Sequence, residues 1–394
     1  MLRARRRGRL GYRRDMHAIV SGAGVAGLTL AGRLALDGWS VDVVERAPAP
    51  RASGYLIDFF GPGYDAAERL GLLPALRERA ESYGELRSVD AAGRVRARLP
   101  IALVERAVAG RYLTILRPQI VDALLAALPE GVRMRWGVQV ETVHDDGARV
   151  TALLSDGERL EADLLVGADG VRSRVRQLAW GPHDDFLRPV ADLLAVAWIG
   201  DDAELSADLG GRVAMQVELD RQLVVAPLGE TGVTGFAVLR GVGRAGGRGA
   251  IARMGVLGRR AVRSIREPYV DDVAQTVVPQ WVRGRIALLG DACGAVSLLA
   301  GQGASLAMAG AERLADELAF AAHPSDVVAG LAAYERDWRP VVEREQARGR
   351  RTASAFAPHT RLELEAQRAM WLATAIPGVA HLVARAAGGV TKSA

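Results

Sequence analysis

Ala18-Ile19-Val20-Ser21-Gly22-Ala23-Gly24-Val25-Ala26-Gly27 is the stretch on which the fold turns. Ala18 to Val20 form a short apolar run suited to a buried parallel strand. Gly22-x-Gly24-x-x-Gly27 follows at once, and Leu28 to Leu36 carry helical spacing closed by Gly38. Ser40 to Val44 read as a second strand ending at Glu45, 18 residues beyond Gly27. The spacing predicts a strand–helix–strand unit with its glycines at the turn and an acid at the end of the second strand. A helix N-terminus there offers unpaired amides and a positive dipole to a pyrophosphate, and glycine lets the backbone approach it. Glu45 is placed to accept hydrogen bonds from the ribose hydroxyls of an adenosine. This fingerprint alone does not separate NAD from FAD.

Outward from that unit, the pattern resumes twice. Tyr112 to Leu116 read as a strand, with a helix starting at Arg117-Pro118 and continuing through Val121 to Leu128. Val132–Arg135, Val138–Val143 and Arg149–Leu154 alternate as strands, with turns at Asp145-Asp146-Gly147 and Ser155-Asp156-Gly157. Leu164 to Val166 form another apolar strand, entering an Arg-rich helix from about Ser173. Between Leu193 and Leu239 the runs become strand-like and are separated by Gly and Asp turns, which predicts a mostly antiparallel second sheet. Gly241 to Gly249 reads as a mobile loop. Ile286 to Leu289 return to the buried-strand texture, followed by a helix over Gly303–Phe320. Ser325 is read as the N-cap of a further helix, with Val327, Val328, Leu331, Tyr334 and Trp338 on one face and a bend or restart at Pro340. Arg361 to Val383 read as a closing helix.

Length and composition bound the rest. A chain of 394 residues, 49% apolar and 25% charged, suits two or three packed units rather than a disordered or membrane-spanning protein. The single cysteine, Cys293, excludes an intrachain disulfide, a cysteine zinc site and a Cys-x-x-Cys pair, and fits a reducing cytoplasm. Of the 51 basic and 46 acidic residues, seven arginines and one aspartate fall within residues 1–15. That leaves 44 against 45, a net of −1 for the remainder, and Lys392 is the only lysine. The basic tail is read as a disordered, solvated extension ahead of a start at Met16. An acidic partner surface or a targeting segment would also suit its charge. Nothing in the body of the chain suggests nucleic acid or membrane as a partner. The six histidines lack metal-ligand spacing, so no metal is expected, and no Gly-x-Ser-x-Gly elbow occurs.

Two further motifs decide between the dinucleotides. Gly167-Ala168-Asp169-Gly170-Val171-Arg172-Ser173-Arg174-Val175-Arg176 places Asp169 142 positions beyond Gly27. Gly290-Asp291-Ala292 places Asp291 another 122 on and runs into Ala300-Gly301-Gln302-Gly303-Ala304-Ser305. Three motifs in this order resemble the class A flavoprotein monooxygenases, the group that includes para-hydroxybenzoate hydroxylase. Gly54-Tyr55-Leu56-Ile57-Asp58-Phe59 and the following Tyr64 to Leu72 resemble the branch of tetracycline-inactivating and polyketide-tailoring enzymes.

The resemblance implies an α/β fold: a Rossmann-like FAD-binding domain, a second, mostly antiparallel substrate domain, and C-terminal helices. The expected division is a tail over 1–15, an FAD-binding domain from 16–75, 111–178 and 280–322, a substrate domain from 76–110 and 179–279, and helices over 323–394. It implies FAD held by Gly22, Gly24, Gly27, Glu45, Arg46, Arg117, Val140 (through its backbone), Asp169, Asp291, Gly301, Gly303 and Ala304. Asp291 is expected at the ribityl hydroxyls. The Gly301–Ser305 amides are expected at the N1–C2=O edge of the isoalloxazine, where negative charge develops on reduction. Arg172, Arg174 and Arg176 are expected either to help hold phosphates or to form a solvated helix face. NAD(P)H is expected as a transient co-substrate, since no second nucleotide fingerprint occurs. The implied reaction oxygenates an electron-rich aromatic or polyketide-like small molecule with O2 through a flavin C4a-hydroperoxide. A cyclase using FAD as scaffold, and a flavin reductase, remain alternatives on the same fold. Cys293-Gly294 and Leu298 stand where family members often carry Ala-His and Pro, so no catalytic acid or base is assigned. The substrate pocket is expected between the flavin ring and the Leu193–Leu239 sheet, with aliphatic walls.

Overall fold

The computed structural model describes residues 16–51, 54–297, 299, 301–319, 321 and 323–373. The basic tail, Leu298, Ala300, and the end of the closing helix beyond Ala373 lie outside these residues. The buried apolar runs pair as expected of parallel strands. His17–Ser21 lies at the middle of a six-stranded sheet, flanked by Ser40–Glu45 and Leu164–Gly167 in parallel register. Val132–Trp136 extends one side, and Ile286–Leu288 with the short antiparallel Val282–Arg283 extends the other. Helices Val25–Leu36 and Gly303–Leu318 pack together beside this sheet, and Leu28, Leu30, Leu34, Leu306, Leu314 and Leu318 share its core. A three-stranded antiparallel sheet, Val140–Asp145, Val150–Leu154 and Arg159–Ala162, sits on the same body.

The second large sheet has seven strands, running in space from Tyr269–Thr276 through Leu187–Asp201, Gly232–Arg240, Arg221–Leu228, Val213–Glu218 and Glu85–Val89 to Val95–Pro100. Every pair is antiparallel except Val213–Glu218 with Glu85–Val89. One face packs Leu194, Val196, Trp198, Leu223 and Val225 against helices Gly247–Ala252 and Gly255–Ser264. The other face looks toward a two-stranded ladder, Leu56–Phe60 with Tyr112–Leu116. No helix among the described residues is long and apolar enough to cross a membrane.

Four local readings are corrected. The strand expected to open at Leu193 begins at Leu187, because its register shifts between Pro189 and Leu194, with Ala191 and Asp192 at positive φ breaking the alternation. Gly241–Gly249 is not a loose loop. It folds into a 3-10 turn, Arg244–Gly246, and the start of a helix, held by Arg244 on Asp271 and Asp272. The helix read as capped by Ser325 starts at Pro324, where the Asp326 carboxylate accepts from the His323 amide at 2.8 Å. It does not restart at Pro340 but continues to Thr352. Burial of Val327, Leu331, Tyr334 and Val342 offsets the amide bond that proline forgoes, while Val328 is exposed.

At the start of the opening strand, His17 Nε2 meets Asp42 Oδ2 at 2.8 Å, and Arg135 bonds the same carboxylate. The Asp42 bond raises the His17 pKa above its ordinary 6.5 against the opposing effect of burial. Burial works to raise Asp42, but the bonds from His17 and Arg135 prevail and lower it. The folded state therefore holds the His17 proton more tightly than the unfolded chain does. This stabilisation is full below pH 6.5 and fades as pH rises through the elevated folded value. Denaturant midpoints measured across that window should fall with rising pH in the native protein and fall less steeply in His17→Gln.

Candidate cofactor site

The first corner of the site is the turn between the opening strand and its helix. Gly22 has φ +110°, and a Cβ there would lie 2.5 Å from the Ala168 carbonyl oxygen. A Cβ on Gly27 would lie 1.9 Å from the Gly22 carbonyl oxygen, so the helix can seat on the turn only with glycine at both positions. Gly24 is different: nothing lies within 4 Å of where its Cβ would project. It precedes the first helical turn, and no side chain caps that helix. Open space in front of uncapped amides is the form an anion cradle takes. Glu45 faces this corner with both oxygens already oriented. Oε2 accepts from the Ala23 amide and Oε1 from the Ala47 amide, each at 2.9 Å.

The second corner follows strand Leu164–Gly167. Asp169 Oδ2 accepts from the Arg174 and Val175 amides at 2.7 and 3.1 Å and lies 3.5 Å from Ser21 Oγ. Its Oδ1 is buried and has no hydrogen-bond partner among the described residues. Burial raises the Asp169 pKa despite the bonds from Ser173 and these amides. The flanking arginines do not form a phosphate clamp. Arg176 is fully buried and donates to the Val171 and Ala292 carbonyls, both at 2.7 Å. Arg172 pairs with Asp271 at 2.8 Å, and Arg174 reaches Gln177 at 3.0 Å. Arg176 is neither a phosphate ligand nor part of a solvated face: it ties the second motif to the third.

That third corner is Gly290-Asp291. Gly290 has φ +63°, and its Cβ would come 3.0 Å from the Ala26 Cβ, so this turn rests on the first turn of the opening helix. Asp291 carries no hydrogen bond or ion pair among the described residues. Burial raises its pKa, and the nearby Arg117 guanidinium opposes that rise. A Cβ on Gly303 would stand 4.0 Å from Asp291 Oδ1, which puts the start of helix Gly303–Leu318 beside this carboxylate. That helix also lacks a side-chain cap, and Gly301, at φ +66°, is exposed in front of it.

The remaining residues divide. Arg117 opens its helix with its amide on the Tyr55 carbonyl at 3.0 Å. Arg46 is exposed and makes no ion pair among the described residues. Val140 is buried and begins a strand paired to Leu154. Cys293 is a buried residue whose Sγ lies 3.3 Å from the Gly290 carbonyl oxygen, and burial pushes its thiol far up. That removes the thiolate a covalent flavin link would need. Three aromatic residues that composition did not single out gather where the ladder meets the large sheet. Tyr55 packs on Phe236 at 6.1 Å and on Tyr269 at 6.0 Å between ring centroids.

Uncapped helix ends, an orphan carboxylate oxygen on Asp169 and an unpaired Asp291 are groups that an extended, polar dinucleotide satisfies, so the residues present fit FAD. The comparisons with known proteins agree. The model of the FAD binding domain family matches residues 15–183 and 258–348. The chain is a class A, FAD-dependent monooxygenase of that family. An uncharacterized protein of Mycobacterium tuberculosis is 32% identical over 351 residues, covering 83% of this chain and 91% of that one. An FAD-dependent monooxygenase of Sarocladium schorii is 28% identical over 362 residues, 83% and 85% of the two chains. Among solved structures, Klebsiella pneumoniae HpxO complexed with FAD and uric acid superposes with a TM-score of 0.79 at 20% identity, covering 96% and 97%. The tetracycline destructase Tet(55) superposes at 0.76 with 24% identity, covering 94% and 97%. At these identities the two structures attest the fold of this monooxygenase.

Substitution at the first corner should separate packing from ligand contact. Gly27→Ala displaces the helix from its turn and should abolish flavin retention. Glu45→Gln removes the charge and one of the two acceptors for the Ala23 and Ala47 amides, and should weaken FAD binding by about tenfold. Titration of the apoprotein with FAD, followed by quenching of flavin fluorescence, measures both.

Proposed function

We propose that this enzyme takes electrons from NADH or NADPH and inserts one atom of O2 into an electron-rich ring, phenolic or polyketide-like, held between the flavin and the seven-stranded sheet. The observation that carries the proposal is the meeting of three polar corners at one place, each left short of partners by the protein itself. FAD, when bound, would supply the redox chemistry and the activation of oxygen. The chain's part is to hold and to shield. In this reading the amides following Gly24 take the pyrophosphate, with Glu45 on the adenosine ribose. Arg117 and Asp291 engage the ribityl region, and Asp169 lies where the flavin and a passing nicotinamide can both reach it. The uncapped end at Gly303 and Ala304 faces the ring edge that gains negative charge, where a helix dipole stabilises it. Names among the relatives support a ring substrate: Rhodococcus erythropolis proteins named as 2-heptyl-3-hydroxy-4(1H)-quinolone synthases are 29 and 30% identical, and the HpxO structure carries uric acid.

One observation favours a second reading, in which FAD serves as scaffold for a rearrangement or in simple hydride transfer. A Cβ on Gly294 would lie 2.5 Å from Val342 Cγ1 and 3.3 Å from the Trp281 ring. Those side chains fill the space that an imidazole at this position would occupy, so no proton relay runs from it. The readings separate in one assay. FAD-loaded protein supplied with NADH or NADPH and candidate phenols should consume O2 in step with nicotinamide, faster when a productive phenol is present. Failure of both nicotinamides to reduce the flavin, or turnover without air, would reject the oxygenase reading.

A further inference from the structure

The two-stranded ladder alternates strictly between its faces. Ile57, Phe59, Leu113 and Ile115 point into the main core. Leu56, Asp58 and Phe60 therefore share the opposite face with their partners Leu116, Thr114 and Tyr112. That face looks at the large sheet: Leu56 packs with Tyr83, Val213, Val224 and Ala226. The ladder also lies against the cofactor site at both ends. Tyr55 accepts from the Arg117 amide at one end. At the other, Ser305 Oγ, in the first turn of helix Gly303–Leu318, donates to the Phe60 carbonyl at 2.6 Å and accepts from the Gly63 amide at 2.8 Å. Asp58 stands midway along this wall.

Its surroundings are unusual for a carboxylate. Oδ1 accepts from the Tyr112 hydroxyl at 2.5 Å, and Thr114 Oγ1 lies 3.3 Å from the same oxygen and 3.0 Å from the Tyr112 oxygen. Oδ2 takes no hydrogen bond, and no guanidinium pairs with Asp58 among the described residues. The side chain is exposed, yet the protein atoms gathered around it push its pKa upward against the two hydroxyl bonds. It stands on the ladder face that looks at the large sheet. Glu81 pairs with Thr114 across the other edge of that strand, and its carboxyl is likewise raised by burial alone. Two hydroxyls fix Oδ1 and leave Oδ2 as a ready acceptor.

We propose that Asp58, oriented by Tyr112 and Thr114, sets substrate specificity by accepting a hydrogen bond from an O–H or N–H donor of the substrate and by excluding substrates that present a carboxylate there. This deepens the proposed function and rests on its placement of the pocket. The ligand class is a ring compound whose recognised polar end is a neutral hydroxyl or an ammonium. Like charge from Asp58 and Glu81 rejects an acid at the same position.

Three probes that share a tolyl body test this by equilibrium dialysis against FAD-loaded protein: para-cresol, para-methylbenzylamine and para-toluate. The native protein should bind the first two and discriminate against para-toluate by about tenfold or more. Asp58→Asn should weaken the amine about tenfold and raise para-toluate toward the cresol value, with flavin content and denaturation midpoint as controls. Glu81→Gln, which leaves Asp58 in place, should shift para-toluate the same way by a smaller factor, and keeps the test open should Asp58→Asn not fold. Binding of para-toluate to the native protein as tight as that of para-cresol, unchanged ratios in the variants, or no binding of any probe would overturn the inference. A protein that discriminates as described but never oxygenates would instead overturn the oxygenase reading and leave the role of Asp58 standing.

Discussion

Everything at the cofactor site depends on how closely one helix approaches one turn. With the Gly22 carbonyl oxygen 1.9 Å from where a Gly27 Cβ would stand, the first helix sits lower on its strand than any side chain would permit. That depth brings its uncapped end level with the Glu45 carboxylate. It also leaves Ala26 where the Gly290 turn can rest on it. A dinucleotide cradle is thus a consequence of backbone packing, and the charged groups around it are secondary to that packing.

The remaining corners are brought in by long-range bonds of the same economy. Arg176 is buried without a salt bridge among the described residues, yet both terminal nitrogens of its guanidinium are used, on carbonyls of two motifs more than a hundred residues apart in the chain. Burial lowers its pKa, but an arginine stays charged through such a shift. Ser305 makes a second such link, bonding helix Gly303–Leu318 to the ladder at Phe60 and to the following helix at Gly63. The ladder is thereby tied to helix Gly303–Leu318, as the second motif is tied to the third.

How much of this was legible depended on the range of the cause. The glycine turns, the parallel strands and the order of the three motifs are local patterns, and Gly22, Gly24, Gly27, Glu45 and Asp291 stand where those patterns put them. Arg176 was misread because an arginine in an Arg-rich helix looks solvated until its partners, Val171 and Ala292, are known. The Gly241–Gly249 segment was misread because its order comes from Asp271 and Asp272 on a distant strand. Asp58 lies in a stretch whose family likeness does not single it out. The available signal was a single acid at a period-2 position between Leu56 and Phe60, in a strand whose other face is wholly apolar. Its two hydroxyl partners lie 54 and 56 residues away, beyond what periodicity can report.

A crystal structure of the protein grown with FAD tests the central claim most directly. The account expects the pyrophosphate on the amides of Val25 and Ala26, the adenosine ribose on Glu45, and the ribityl chain beside Asp291. It also expects the ring edge at the start of helix Gly303–Leu318. FAD bound elsewhere, or a protein that remains without it at saturating concentration, would contradict the account at its foundation.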